Sequence, residues 1–292
     1  MATLARIGTQ TDILGESPLW DDRAQALVWV DIRRPAIRRL HARSGHVQTW
    51  PMPEMVGSIA LVDDGRLLVA MGAEVLLFDP DTGRQEPLAT LPQRIEGHRF
   101  NDGRCDRQGR FFVGTMHNLT RAPEGTLYRL QGRGPLVPVR GGVCIPNSLA
   151  WSPDGGTMYF ADSLKHCIEA FPFDTATGTP GAPRVLAHST PPGFPDGATV
   201  DAEGHVWSAQ FKASRVVRYA PDGRVDRVIE MPVDKPTALA FGGPHLDRLY
   251  ITTASQHMTP DELAAQPLAG ALLMLEPGVR GLPEPRFVLR VP

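Results

Sequence analysis

One pattern recurs six times along the chain and leaves little choice of fold. "DDRAQALVWV", "LVDDGRLLVA", "DRQGRFFVGT", "SPDGGTMYFA", "DAEGHVWSA" and "GPHLDRLYIT" each set a turn before a short β-rich run. A second run follows each: "AIRRLHARSG", "EVLLFDPDTG", "TLYRLQGRG", "CIEAFPFDTATG", "RVVRYAPDG" and "ALLMLEPG". Counting eight residues back from each turn gives Glu16, Gly57, Asn101, Asn147, Asp196 and Thr237, spaced by 41, 44, 46, 49 and 41 residues. That is close to the ~40–50-residue period of four-stranded propeller blades. The expected fold is therefore all-β, a six-bladed β-propeller occupying 1–292 as one domain. The 29 glycines and 28 prolines suit an architecture made of many tight turns. "ATLARIGT" and "RFVLRV", before the first repeat and after the last, both read as strands and are expected to pair and shut the ring. Long helical patterns are absent; "PDELAAQ" (260–266) reads as one helical turn in a loop.

The first strand of each propeller blade lines the central channel, so the six aligned positions are expected at one depth around one axis. Glu16, Asn101, Asn147 and Asp196 then converge, although 180 residues separate the first from the last. Asn147 points into the channel, while Leu149 and Trp151 pack between blades and Thr157 to Ala161 alternates with one face buried. Two carboxylates meeting in a partly dry channel repel, and they persist if one is protonated or a cation lies between them. The carboxylates of Glu16 and Asp196 and the side-chain carbonyls of Asn101 and Asn147 form an all-oxygen set suited to Ca²⁺, Mg²⁺ or Mn²⁺, without excluding Zn²⁺ or Fe²⁺. The plainer reading of such residues is that they cap backbone groups or bind water. Trp20, Trp29, Trp151 and Trp207 fall inside strand patterns and are expected in inter-blade packing. Arg33-Arg34 and Arg38-Arg39 read as a solvated blade edge.

Composition narrows the classes further. A net charge of -2 provides no basic footprint for nucleic acid, and no run approaches the ~18 apolar residues of a membrane span. Cys105, Cys144 and Cys167 are odd in number and form no C-x-x-C pair, which fits a reducing compartment. "MATLARIGTQTDILGES" lacks the apolar core of a signal peptide. The expectation is a cytoplasmic protein, and nothing here demands more than a monomer. No G-x-S-x-G elbow, P-loop, H-E-x-x-H or G-x-G-x-x-G occurs, which argues against serine hydrolase, nucleotide and zincin chemistry.

Four segments resemble the sugar-lactonase family that includes gluconolactonase and regucalcin: "GESPLW" (15–20), "RFNDGRCDRQGRFFVGTM" (99–116), "IPNSLAWSPDG" (145–155) and "PDGATVDAEGHVW" (195–207). The resemblance implies one catalytic divalent metal in a six-bladed propeller. It implies Glu16, Asn147 and Asp196 as metal ligands, with Asp196 also the acid/base, and Arg99 and Asn101 as substrate-binding residues. "TMHNLTRAPEGTLYRL" departs from gluconolactonase and regucalcin, which are acidic shortly after Thr-Met. It is more similar to the bacterial pentonolactone-hydrolysing branch, the xylono- and arabinonolactonases. His117 joins the expected substrate contacts on that ground. The reaction expected is metal-assisted opening of a small sugar lactone to its aldonic acid. The alternatives are a non-catalytic calcium- or partner-binding propeller, and a lactonase-like hydrolase of another ester class.

Overall fold

In a computed structural model, residues 4–290 are described, and they form six antiparallel sheets. Each sheet is one blade, and its innermost strand carries one aligned position of the repeat. Those inner strands are Gly15–Asp21, Val56–Leu61, His98–Cys105, Pro146–Trp151, Phe194–Val200 and Pro236–Gly242, which open blades 1 to 6. Every blade has four principal strands, and blade 4 adds the short pair Thr179–Pro180. The outermost strand of blade 5, Val225–Glu230, is exposed along most of its length, whereas the inner three strands are mostly buried.

Burial on both faces explains the sequence of these strands. Ala26–Asp31 reads ALVWVD, apolar almost throughout, because its neighbours lie on each side. Leu27 and Trp29 face Tyr250 and Leu272 of blade 6, while Val28 and Val30 face Ile59 and Val69 of blade 2. Thr157–Asp162 departs from the one-sided expectation for the same reason. Met158 and Phe160 pack on blade 3, Tyr159 and Ala161 on blade 5. The hydrophobic core is thus six slabs, one per blade interface. Trp20, Trp29, Trp151 and Trp207 sit in them as expected.

Closure differs in one partner from the sequence expectation. The N-terminal strand Ala5–Thr11 completes blade 6 by pairing with Ala271–Leu275, placing Ala5 opposite Met274. The segment 286–290 does not pair with it; Ala2, Thr3 and Val291, which the expectation also involved, lie outside the described residues. Blade 6 already has its fourth strand, so the tail runs under the ring. Phe287 makes a parallel bridge to Val62, Val288 N–H donates to the Gly109 carbonyl, and Arg286 pairs with Asp21 and Asp22. Glu284 inserts below the channel and pairs with Arg104 at 2.6 Å, while Arg104 reaches across to the Ala198 carbonyl. The channel is therefore blocked at that end.

Pro260–Ala265 is a helical turn with Thr259 and Glu262 forming a capping box. Among the described residues no helix is long and apolar enough to cross a membrane.

Candidate active site

The blocked channel leaves a cavity of about 770 Å³ at the opposite end, within the ~300–1,000 Å³ usual for small-molecule sites. Glu16, Arg99, Asn101, Asn147 and Asp196 all line it. A shared backbone device aims them. Every inner strand carries a register shift beside the aligned position, as between Glu16 and Leu19, Asn147 and Ala150, and Pro195 and Ala198. One extra residue there bends the strand and re-aims its side chains. Ser17 and Ser148, at φ 51° and 56°, take the left-handed conformation directly after Glu16 and Asn147.

The bulges also stitch the ring. Inner strands of neighbouring blades make no ladder with one another, so side chains bridge them. Ser17 Oγ accepts the Ile59 N–H, Asp102 Oδ2 accepts the Leu149 N–H, and Ser148 Oγ donates to the Asp196 carbonyl. Gly57 is the position where no side chain fits. A Cβ there would lie 2.4 Å from the Phe100 carbonyl.

A hydrogen-bond chain runs across three blades on the cavity floor. Arg99 donates Nη1 to Asn101 Oδ1 (2.7 Å) and Nε to Asn118 Oδ1 (2.9 Å). Asn101 Nδ2 donates to the Pro146 carbonyl (2.8 Å) and to Asn147 Oδ1 (3.2 Å). Asn147 Nδ2 donates to Ser163 Oγ (2.8 Å), which donates to the Pro195 carbonyl (2.7 Å). With its nitrogen tied back, Asn147 turns its oxygen toward Asn101 and the cavity.

Among the described residues, Glu16 and Asp196 have no such side-chain support. Burial raises both carboxyls well above the usual range. Asp196 and then Asp102 push Glu16 further up, Asp102 does the same to Asp196, and Arg99 opposes both. Asp102, also raised by burial, reaches about 6. Buried carboxylates this poorly compensated fit a divalent cation, and the oxygen-only donor set suits a hard one. Asp201, Glu203 and His205, at the far end of the blade 5 inner strand, also bring ligand atoms within 4.8 Å of one another. Their centre is already taken: Arg218 binds Asp201, Glu203 and Asp226, and Trp207 Nε1 donates to Asp201.

His117 is the sequence-selected residue that the fold does not bring to the cavity. Along Phe111–His117, Met116 lines it, and strand alternation turns the next side chain away. His117 Nδ1 instead accepts the N–H groups of Leu119 and Thr120, and its ring meets His98 edge-on at 5.4 Å. Asn118 lines the cavity in its place. The arginine pairs depart from a solvated edge in one member each: Arg38 is buried against Asp12 at 2.7 Å and Arg33 lines the cavity, while Arg34 is exposed. Arg33, Arg121, Lys212 and Lys235 were not legible as site residues. They lie on loops of separate blades, where the repeat imposes no common residue type.

The fold agrees with the comparisons to known proteins. Residues 14–255 match the family described as SMP-30/Gluconolactonase/LRE-like region. The chain is 38% identical to a 6-deoxy-6-sulfogluconolactonase of Pseudomonas putida, over 98% of each chain. It is 37% identical to an L-arabinolactonase of Azospirillum brasilense, covering 94% of this chain and 92% of that one. The crystal structure of a calcium-binding protein, regucalcin, from Agrobacterium tumefaciens superposes with a TM-score of 0.93 at 32% identity, covering 98% and 97% of the two chains. The chain belongs to the SMP-30/gluconolactonase/LRE-like family.

Proposed function

We propose that the protein hydrolyses a sugar lactone to the open aldonic acid in the cavity at the open end of the propeller channel. The observation that carries this reading is the facing pair of buried carboxylates, Glu16 and Asp196, on the floor of a one-ended polar cavity. The lactonase names of the relatives support the reaction class. Glu16, Asn147 and Asp196 would hold a divalent cation, which when bound supplies Lewis acidity toward the lactone carbonyl. Calcium, magnesium and manganese suit these oxygens better than zinc or iron(II).

The chain's own groups do the rest. Asp196 takes a proton from the attacking water and returns it to the ring oxygen as the carbon–oxygen bond breaks. Arg99 and Asn101, already locked together, hold sugar hydroxyls, and Asn118 fixes the guanidinium from the other side. Glu284 and Arg104 block the channel behind, so substrate and product share the mouth. All these side chains come from one chain, so the reading calls for no second copy, nucleic acid or membrane. Three free cysteines suit a reducing cytoplasm.

The test is acid release from a panel of pentono- and hexonolactones, corrected for spontaneous opening. Purified, chelator-stripped and metal-restored protein are compared. Turnover lost on stripping and regained with one divalent ion is the expected result. No turnover on any lactone with metal bound would sink the reading.

A further inference from the structure

The cavity wall is uneven in height and in charge. Blade 2 contributes no residue to the lining, and only Gly72 and Ala73 link its second and third strands. Arg33 of blade 1 and Arg99 and Arg121 of blade 3 flank this low wall. Neither Arg33 nor Arg121 has a carboxylate within ion-pair distance among the described residues. On the opposite side, Lys212 and Lys235 have Asp234 and Glu262 beside them.

Three guanidiniums gathered on one side of the cavity repel one another. Burial lowers Arg99 to about 10, and repulsion from Arg33, with a smaller part from Arg121, adds to the fall. The floor carboxylates Glu16 and Asp196 offset part of this, but they are the groups assigned above to the cation. A neutral sugar ring asks for hydroxyl partners and gives such a cluster nothing to neutralise it. Guanidiniums match the oxygens of a phosphate or sulfonate in fork geometry.

We propose that Arg33, Arg99 and Arg121 form an anion subsite, and that the preferred substrate is an aldonolactone carrying a phosphate or sulfonate on its terminal carbon. This rests on the lactonase reading. The ester carbon lies at the floor carboxylates, so a group at the far end of the sugar reaches Arg33 and Arg121 on their loops, with the buried Arg99 beneath them.

Two measurements separate this proposal from that reading. The first is calorimetric binding of the open acids gluconate, 6-phosphogluconate and 6-deoxy-6-sulfogluconate to metal-loaded protein and to the Arg33→Gln/Arg121→Gln double variant. The second is kcat/KM on the corresponding lactones. The expected result is at least tenfold tighter binding of one anionic acid than of gluconate. That ratio falls toward one in the double variant and in high salt, and kcat/KM follows the same order. Whichever anion is favoured names the group. Equal binding of all three acids, or a preference untouched by the double substitution, overturns the subsite whatever the kinetics. Selective binding with no lactone opened upholds the subsite and removes the hydrolytic reading instead. Both replaced residues lie on loops outside the hydrophobic core, so a folded double variant is expected, and its melting curve verifies this.

Discussion

Asp196 and His117 show what a single position can and cannot disclose. Asp196 sits at a repeat-aligned position, so its direction into the channel follows from periodicity alone. Asp196→Asn keeps the shape and one ligand oxygen but removes the base and its charge. We expect kcat to fall about 100-fold or more, while the melting temperature does not drop, because repulsion with Glu16 and Asp102 is relieved. Activity within a few-fold of the parent would remove Asp196 from the base role. His117 was selected from local resemblance, without a periodic argument, and alternation turns it away. Its Nδ1 instead secures the loop that carries Asn118 and Arg121. His117→Ala is expected to raise KM about two- to threefold through loosened positioning. Asn101→Ala, which strips charge-assisted and bridging hydrogen bonds from the floor, costs about 10- to 100-fold in kcat/KM. Equal losses in the two variants would return His117 to the substrate contacts.

At the scale of elements, the inner strands were legible and the devices that finish them were not. Turns and apolar runs located every blade, but a register shift of one residue leaves no mark in composition, and so the stitching by Ser17 and Ser148 was hidden. Gly57 looked like a gap in the ring of oxygens; the close approach of the Phe100 carbonyl explains it. The tail was read as a strand because "RFVLRV" is β-rich, yet it crosses under several blades as an irregular strap. Arg286 anchors that strap to Asp21 and Asp22. Burial pushes the Asp21 carboxyl up, but the Arg286 hydrogen bond and the N–H groups of Ala24 and Arg23 outweigh it and hold it below the usual carboxylate range. A carboxyl lowered in the folded state stabilises above its ordinary pKa of about 3.9 and loses that contribution as pH falls through the folded value. Arg286→Ala should therefore cost about 1 kcal/mol at pH 7, allowing for partial exposure. In denaturant titrations the gap to the parent should close as the solution becomes more acid than Asp21's folded pKa. A gap that stays constant down to pH 2 would mean that the anchor works through packing instead.

Across the whole molecule, six similar blades made the architecture the most readable feature, because each repeat reports the same plan independently. The mouth was the least readable, since its loops differ from blade to blade. The seam between first and last strands has no equivalent elsewhere in the ring. Deleting residues 1–11 removes the outer strand of blade 6 and bares the edge of Ala271–Leu275. We expect the melting temperature to fall by about 5 °C or more and association to appear on sizing columns. A monomer that melts at the parent temperature would show that the tail strap alone keeps the ring shut. The seam also has a consequence for biosynthesis. Ala5 and its partner Met274 leave the ribosome 269 residues apart, on the order of tens of seconds at ~5–20 residues per second. The nascent chain must keep its first strand unattached while five blades take shape, so the ring locks only once Ala271–Leu275 has emerged.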